Sequence, residues 1–324
     1  MKTDFLSITP QKSTLSSGES QTTDTILMIE PTNFGFNEQT SVNNYFQQKI
    51  NAFDVDIQQY ALEEFNEMVK SLRAKDVNIL VVKDTLQPHT PDSIFPNNWV
   101  SFHKGGQVVL YPLFAENRRK ERRKDIFQLI EEKGTTINNV DDFTFWEEKN
   151  LFLEGTGSMV FDRVNKIAYA ALSERTDKYI FLQFCKIFDF EPVYFSAYQL
   201  VNKKRLPIYH TNVMMCVADN YAVICTDCID NTVERKKVMD SLKKNRKEII
   251  AISETQMHSF AGNMLQVKNG KGEPLLVMSQ SAYNTLTKKQ IERLNSFNEL
   301  TVVAIPTIEI IGGGSVRCMM AEIF

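Results

Sequence analysis

From residue 26 to the end of the chain, short apolar runs alternate with longer amphipathic stretches, and no long Pro-, Gly- or Ser-rich linker interrupts the series. The apolar runs lie at 26–29, 79–82, 108–111, 157–161, 166–171, 213–217, 222–225, 264–267, 275–278 and 301–305, each bounded by polar or turn-forming residues, as buried strands are. Between them, apolar residues recur at three- and four-residue steps over 58–74, 120–133, 175–188, 233–245 and 288–300, which predicts helices. This alternation specifies an α/β chain, with residues 25–324 as one domain. The helices are spaced through comparable groups of strands, so a structural repeat is permitted although no literal sequence repeat is visible. Residues 1–24, rich in Ser and Thr without an apolar segment, are expected to form a flexible tail and neither a signal peptide nor an anchor.

Composition narrows the function classes. Lys plus Arg number 37 against 40 Asp plus Glu, a net charge of −3, which offers no basic footprint for nucleic acid or an anionic membrane. The expected partner is a small-molecule amino-acid substrate, with a homodimer left open. Five irregularly spaced cysteines do not form a disulfide framework and fit a reducing, cytoplasmic setting.

Three sites carry residues suited to chemistry. Ile311-Gly312-Gly313-Gly314-Ser315-Val316-Arg317-Cys318 sets a cysteine after a glycine-rich bend near the chain end, where glycines allow close approach and an ionised cysteine is a strong nucleophile. The run lacks the Gly-Lys-Ser/Thr ending of a phosphate-binding loop. By spacing alone, a buried structural cysteine is the commoner outcome. A cysteine nucleophile needs a base, and of the four histidines, His210 in Tyr209-His210-Thr211-Asn212 stands at the entry to an apolar strand. His89, His103 and His258 sit in turns or loops and are assigned no catalytic role. A carboxylate is needed to orient the imidazole, and Glu154 in Leu153-Glu154-Gly155 offers one, although an exposed loop carboxylate is the plainer reading. Cys225-Thr226-Asp227-Cys228 has redox or zinc spacing but no second pair, so no metal site is expected. The charged run 118–124 reads first as a solvated helix face.

Taken together, Leu153-Glu154-Gly155, His210-Thr211-Asn212 and the terminal Gly-Gly-Gly-Ser-Val-Arg317-Cys318 resemble the guanidino-group-modifying superfamily, the penteins, over roughly 26–324. Within it, Pro91-Asp92-Ser93-Ile94-Phe95-Pro96-Asn97-Asn98, Asn117-Arg118-Arg119-Lys120-Glu121 and Leu172-Ser173-Glu174-Arg175-Thr176 resemble segments of dimethylarginine dimethylaminohydrolase. The resemblance implies a five-bladed α/β propeller with fivefold pseudosymmetry and no cofactor. It also implies that Cys318, His210 and Glu154 are catalytic, that Asp92 binds substrate, and that Arg118 and Arg175 hold an α-carboxylate, a role to which the planar guanidinium fork is suited.

Two departures bear on the substrate. Relatives acting on guanidinium carry carboxylates where this chain has Asn98 and Asn212, and a buried cation without those counter-charges costs roughly 3–5 kcal/mol. A neutral ureido group offers a carbonyl as well as N–H donors, which asparagine can match. Together with Asn97-Asn98-Trp99 and Pro31-Thr32-Asn33-Phe34-Gly35-Phe36-Asn37, expected as a substrate loop with Asn33 and Phe34 at the site, this resembles the citrulline-utilisation hydrolases. The implied reaction is citrulline to ornithine, ammonia and carbon dioxide through a covalent Cys318 intermediate, with His210 as acid and base. Arginine or methylarginine hydrolysis, amidino transfer to an amine, and a catalytically silent binding module are the alternatives.

Overall fold

The computed structural model describes residues 19–50 and 54–324. The chain opens with β1 (Thr25–Glu30), crosses over through the helix Asp54–Ala74 and returns as β2 (Asn78–Lys83), parallel to β1. A second sheet follows from β3 (Val100–His103), β4 (Gln107–Leu110) and β5 (Asn139–Asp142), and a third from β6 (Val160–Asp162), β7 (Ile167–Leu172) and β8 (Glu191–Ser196). After a separate hairpin, β9 (Tyr198–Val201) with β10 (Lys204–Pro207), come β11 (Met215–Val217), β12 (Tyr221–Ile224) and β13 (Glu248–Ala251). β14 (Leu265–Lys268), β15 (Pro274–Ser279) and β16 (Glu299–Val303) form a fifth group, and β17 (Ala321–Ile323) pairs back onto β1.

The same unit recurs. In each three-stranded sheet an antiparallel pair is followed by a parallel one: β3–β4 then β5, β6–β7 then β8, β11–β12 then β13, β14–β15 then β16, and β17–β1 then β2. The antiparallel pair needs only a turn where it is continuous, whereas the parallel partner requires a crossover, which a helix supplies each time. The middle strands are consequently the apolar ones. Ile167, Ala168, Tyr169, Ala170 and Ala171 are all buried, as expected of strands covered on both faces. Residues Phe65, Met68 and Leu72 give the helix Asp54–Ala74 its fully buried stripe, worth about 1.5–3 kcal/mol per side chain relative to exposure.

Several boundaries differ from the sequence expectation. The helix expected over 120–133 begins at Asp125, because Arg118–Glu121 forms its own tight turn with the Arg118 guanidinium folded onto Glu121. Asp177 caps the backbone N–H groups of Tyr179 and Ile180, so the helix expected from 175 runs Lys178–Phe188. The helix expected over 288–300 stops at Asn295, and β16 starts at Glu299. Of the expected tail, residues 1–18 lie outside the described residues, while Gln21 is buried and donates to the carbonyls of Phe161 (2.8 Å) and Val217 (3.1 Å). Among the described residues no helix is long and apolar enough to cross a membrane.

What positions the site is the segment just ahead of the first strand of each sheet. Each is a short turn, at Pro96–Asn98, Gly155–Ser158 and Thr211–Val213, then before β14 and again before β17, with the Asn263 and Cys318 backbone N–H groups closing the last two.

Candidate active site

Those turns bring together the sulfur, imidazole and carboxylate singled out from sequence. Glu154 precedes the helical turn Gly155–Ser158, is fully buried, and has both oxygens engaged. Oε1 accepts from the Phe114 backbone N–H at 2.9 Å, and Oε2 lies 2.7 Å from His210 Nε2 and 3.6 Å from Arg175 Nη1. Burial works to raise the Glu154 pKa, but Arg175, His210 and Arg118 outweigh it and hold the carboxyl down at about 2. His210 moves the other way: burial, reinforced by Arg175 and Arg118, outweighs Glu154 and lowers the imidazole to about 4. At neutral pH the pair is therefore a carboxylate beside a neutral ring. A carboxylate only accepts, so the ring proton sits on Nε2 and Nδ1 is the basic nitrogen.

Gly157 keeps the space in front of that nitrogen clear. A Cβ there would stand 2.7 Å from His210 Nδ1 and 2.4 Å from Asn98 Nδ2, distances that real Cβ atoms essentially never show. Cys318 enters from the far end of the chain, in the turn closed by its own N–H on the Ser315 carbonyl (2.9 Å). Its sulfur receives amide N–H groups from Asn212 (3.5 Å) and Asn263 (3.3 Å). Gly313 adopts a left-handed φ of 63° and lies flush against Asn44 and Gln47, which explains the glycine run.

A small pocket lies among these groups, with Asp92, Asn98, Arg118, Arg175, His210 and Cys318 in its wall. The segment 37–48 covers it. Asn37 and Thr40 donate to Asp92 Oδ2 at 2.8 and 3.0 Å, Asn44 to the Gly313 carbonyl at 3.3 Å and Gln47 to the Ile311 carbonyl at 3.2 Å. The covering loop is thus the stretch just after the one expected from 31–37. Asn33 is half-buried and is not in the cavity wall, and Phe34 is buried behind it, its ring 3.2 Å from where a Gly312 Cβ would lie.

Both expected arginines reach the cavity, with their forks already engaged. Arg118 donates through Nε and Nη2 to Glu121 (2.9 and 2.8 Å) and through Nη1 to Asn98 Oδ1 (2.5 Å). Arg175 donates through Nε to Asn43 Oδ1 (2.8 Å) and through Nη2 to the Thr40 carbonyl (2.7 Å), with its guanidinium 4.9 Å from the Tyr209 ring centre. A substrate carboxylate gripped by either fork would have to displace protein partners.

Three buried polar atoms around the sulfur and cavity have no protein partner: Asp92 Oδ1, Asn98 Nδ2 and Asn212 Oδ1. Buried polar groups are rarely left unpaired, so these mark where a ligand would complete the hydrogen bonding. Because Asn98 Oδ1 is fixed on Arg118, its amide turns N–H toward the site, a donor where a carboxylate would accept.

Asn263 went unnoticed in the sequence, as did Glu121 and the covering loop. The signal available for Asn263 was its place in Ala261-Gly262-Asn263-Met264 directly before an apolar strand, the same place Asn212 and Cys318 hold. His103 and His258 pack among aromatic rings away from the cavity. The thiols of Cys225 and Cys228 lie 2.9 Å apart in the core, and among the described residues no three or more His, Cys, Asp or Glu side chains are grouped to hold a metal ion.

The family described as N,N dimethylarginine dimethylhydrolase, eukaryotic, matches residues 30–324. No curated protein gives a significant match. Among solved structures, the apo arginine dihydrolase ArgZ of the cyanobacterial ornithine-ammonia cycle is 18% identical with a TM-score of 0.70, covering 92% of this chain. This chain spans only 40% of that protein's length. Unliganded AgrE is 17% identical with a TM-score of 0.71 over 93% of this chain and 39% of its own. A dimethylarginine dimethylaminohydrolase adduct with 4-chloro-2-hydroxymethylpyridine is 17% identical with a TM-score of 0.61, covering 92% of this chain and 98% of its own.

Proposed function

The chain belongs to the N,N-dimethylarginine dimethylhydrolase family, and from that premise we propose that it is a cysteine hydrolase cleaving a carbon–nitrogen bond at the side-chain end of arginine, a methylated arginine or their ureido counterpart citrulline. The observation that carries the reading is the His210–Glu154 pair at 2.7 Å, whose imidazole shares the wall of one pocket with Cys318.

In the proposed sequence Nδ1 of neutral His210 takes the Cys318 thiol proton as the sulfur attacks the central guanidino or ureido carbon. Imidazolium then protonates the departing nitrogen, which leaves as an amine or ammonia, and a thioester-like or thiouronium adduct remains on sulfur. The same ring next removes a proton from water, the resulting hydroxide equivalent adds to the adduct, and the sulfur leaves as thiol. Glu154 keeps the ring oriented and stabilises its charged form. None of these steps requires a cofactor.

For the substrate, the family and the arginine dihydrolase and dimethylaminohydrolase relatives support arginine or a methylated arginine, with citrulline the product of a single hydrolysis and ornithine that of a second. None of the relatives described above is named for citrulline. A second reading, citrulline to ornithine, ammonia and carbon dioxide, is favoured by one specific observation: the partnerless Asn98 Nδ2, a donor that suits a urea carbonyl and opposes a guanidinium. Incubation of the pure protein with citrulline, arginine, dimethylarginine and agmatine separately, with ammonia, amines and amino-acid products measured, decides between them. Ornithine from citrulline with no turnover of the guanidino compounds supports the second reading, citrulline or ornithine from arginine or dimethylarginine, or N-carbamoylputrescine from agmatine, supports the first, and no turnover on any of them removes both.

We infer further that residues 25–324 form one domain in which the five three-stranded sheets are the blades of an α/β propeller. Two facts support this: the repeated strand pairing, and the packing of first strands on one another, β17 on β3, β6 on β11 and β11 on β14.

A further inference from the structure

Asn263 is completely buried and joins three groups through one amide. Its Oδ1 accepts the Arg317 backbone N–H at 3.0 Å, and its Nδ2 donates to the Asn212 carbonyl at 3.1 Å and to Cys318 Sγ at 3.3 Å. The orientation of this amide is not open to reversal. A backbone N–H can only donate and a backbone carbonyl can only accept, so oxygen must face Arg317 and nitrogen must face Asn212. One of the two N–H bonds satisfies the carbonyl, and the other is aimed at sulfur by construction.

The Asn212 amide has no such constraint. Its Nδ2 lies 3.5 Å from the sulfur while its Oδ1 has no partner, so either end could face Cys318 once substrate arrives. Asn263 is therefore the fixed donor and Asn212 the adjustable one. The same side chain also ties the turn that carries His210 to the turn that carries Cys318, two segments separated by about a third of the chain, and so sets the distance between base and nucleophile. Hydrogen bonds to an ionised acceptor are stronger than to a neutral one, so a donor held here favours negative charge building on sulfur more than it favours the resting thiol.

We propose that Asn263 is a positioning residue for the reaction, holding Cys318 toward the cavity and donating to its sulfur as it becomes the attacking thiolate. This rests on the reading of Cys318 as the nucleophile. A residue that only filled space in the core would influence melting temperature and leave the reactivity of the sulfur alone.

The test compares wild type with Asn263→Ala and with the near-isosteric Asn263→Asp, which keeps an acceptor for Arg317 and loses the amide donor. Alkylation by iodoacetamide is followed on the Cys318 peptide by mass spectrometry across a pH series, beside thermal melts and turnover of whichever substrate the panel identifies. In both variants alkylation at neutral pH should slow about tenfold, the pH profile should move upward, and kcat should fall comparably with KM little changed. A cooperatively melting variant whose alkylation profile overlays wild type overturns the proposal, whatever happens to turnover. Loss of the cooperative melt in both variants also overturns it, because the residue would then be structural. Cys318→Ala separates the two levels. If that variant keeps its turnover, the nucleophile reading falls and this inference with it. If it is inactive while alkylation is unmoved in the Asn263 variants, only this inference falls.

Discussion

Gly157→Ala isolates what the space in front of His210 is for. The added Cβ would sit 2.4 Å from Asn98 Nδ2 and 2.7 Å from His210 Nδ1, where ordinary contact begins at 3.4 Å. The difference requires roughly 1 Å of displacement, shared between an amide and a ring that both face the reacting carbon in the proposed mechanism, and misplacement on that scale costs on the order of 100-fold in rate. Neither neighbour can yield freely. Asn98 Oδ1 is held by Arg118 at 2.5 Å and His210 Nε2 by Glu154 at 2.7 Å. The backbone, by contrast, does not object: Gly157 lies inside the helical turn Gly155–Ser158 and lacks the positive φ of Gly155, so alanine gains helix preference worth roughly 0.5–1 kcal/mol against an overpacking cost of about 1–3 kcal/mol. The expectation is a folded protein, destabilised by at most about 2.5 kcal/mol, with kcat/KM down about 100-fold. Urea melts and steady-state kinetics measure the two quantities on the same preparation. A folded variant with nearly native kcat/KM would refute the claim that catalysis occupies the face of His210 that Gly157 leaves open.

Three other perturbations read the site independently. Cys318→Ala should abolish turnover and leave the melting curve within about 1 kcal/mol of wild type, and a variant that still releases product at the native rate eliminates the proposed nucleophile. Asn98→Asp combined with Asn212→Asp should weaken citrulline turnover and improve arginine binding, measured as KM for each; unchanged constants for both would remove the charge argument. Acid should destabilise the fold. Burial lowers His210 to about 4 from an ordinary 6.5, and the Arg175 and His210 charges, against the effect of burial, hold Glu154 at about 2 rather than 4.5. For these two groups the unfolded chain takes up protons that the folded chain refuses, so their contribution to stability falls as pH drops from about 6.5 toward 4 and then further toward 2; burial, against the pull of Arg118, raises Glu121 to about 7, which works the opposite way between about 7 and 4.5, so the net loss is expected below about 4.5. A His210 imidazole that titrates by NMR in the folded protein at or above the ordinary 6.5 would contradict the neutral ring.

Middle strands and the apolar faces of the helices could be read from the sequence because burial imposes one-dimensional patterns on them. The third strands β5 and β8 impose little. Asn139-Val140-Asp141-Asp142 is mostly exposed, and β8 begins Glu191-Pro192, so neither alternation nor an apolar run marks them. In the site, Cys318, His210 and Glu154 were identifiable by residue type and motif order. The hydrogen bonds that make Arg118 and Arg175 internal struts, and the amide that links residues 212, 263 and 318, depend on which turns become neighbours, and that information lies in the pairing of strands far apart in sequence. The covering loop was misplaced by one stretch for the same reason: Thr40 and Asn43 carry no chemical signature until Arg175 is found to donate to both.

The charge available inside the cavity bears on which substrate it can hold. Glu154 is committed to His210 and Arg175, and Glu121 to Arg118, so the carboxylate oxygen in the cavity wall without a protein partner is Asp92 Oδ1. Citrulline carries one cation, its α-ammonium, and arginine carries two. A single carboxylate with one free oxygen, its other oxygen held by Asn37 and Thr40 and 3.9 Å from Arg118, matches the first inventory; for the second, one cation would lie against Asn98 Nδ2 or share Asn212 Oδ1, a neutral acceptor. Desolvating an unpaired guanidinium is costly enough that arginine would bind well only if Arg118 released Asn98 or Glu121 and let the amide or carboxylate turn. On the proposed reading the Arg118 network would act as a specificity element: rigid, it admits a urea; rearranged, it can supply the acceptors a guanidinium demands.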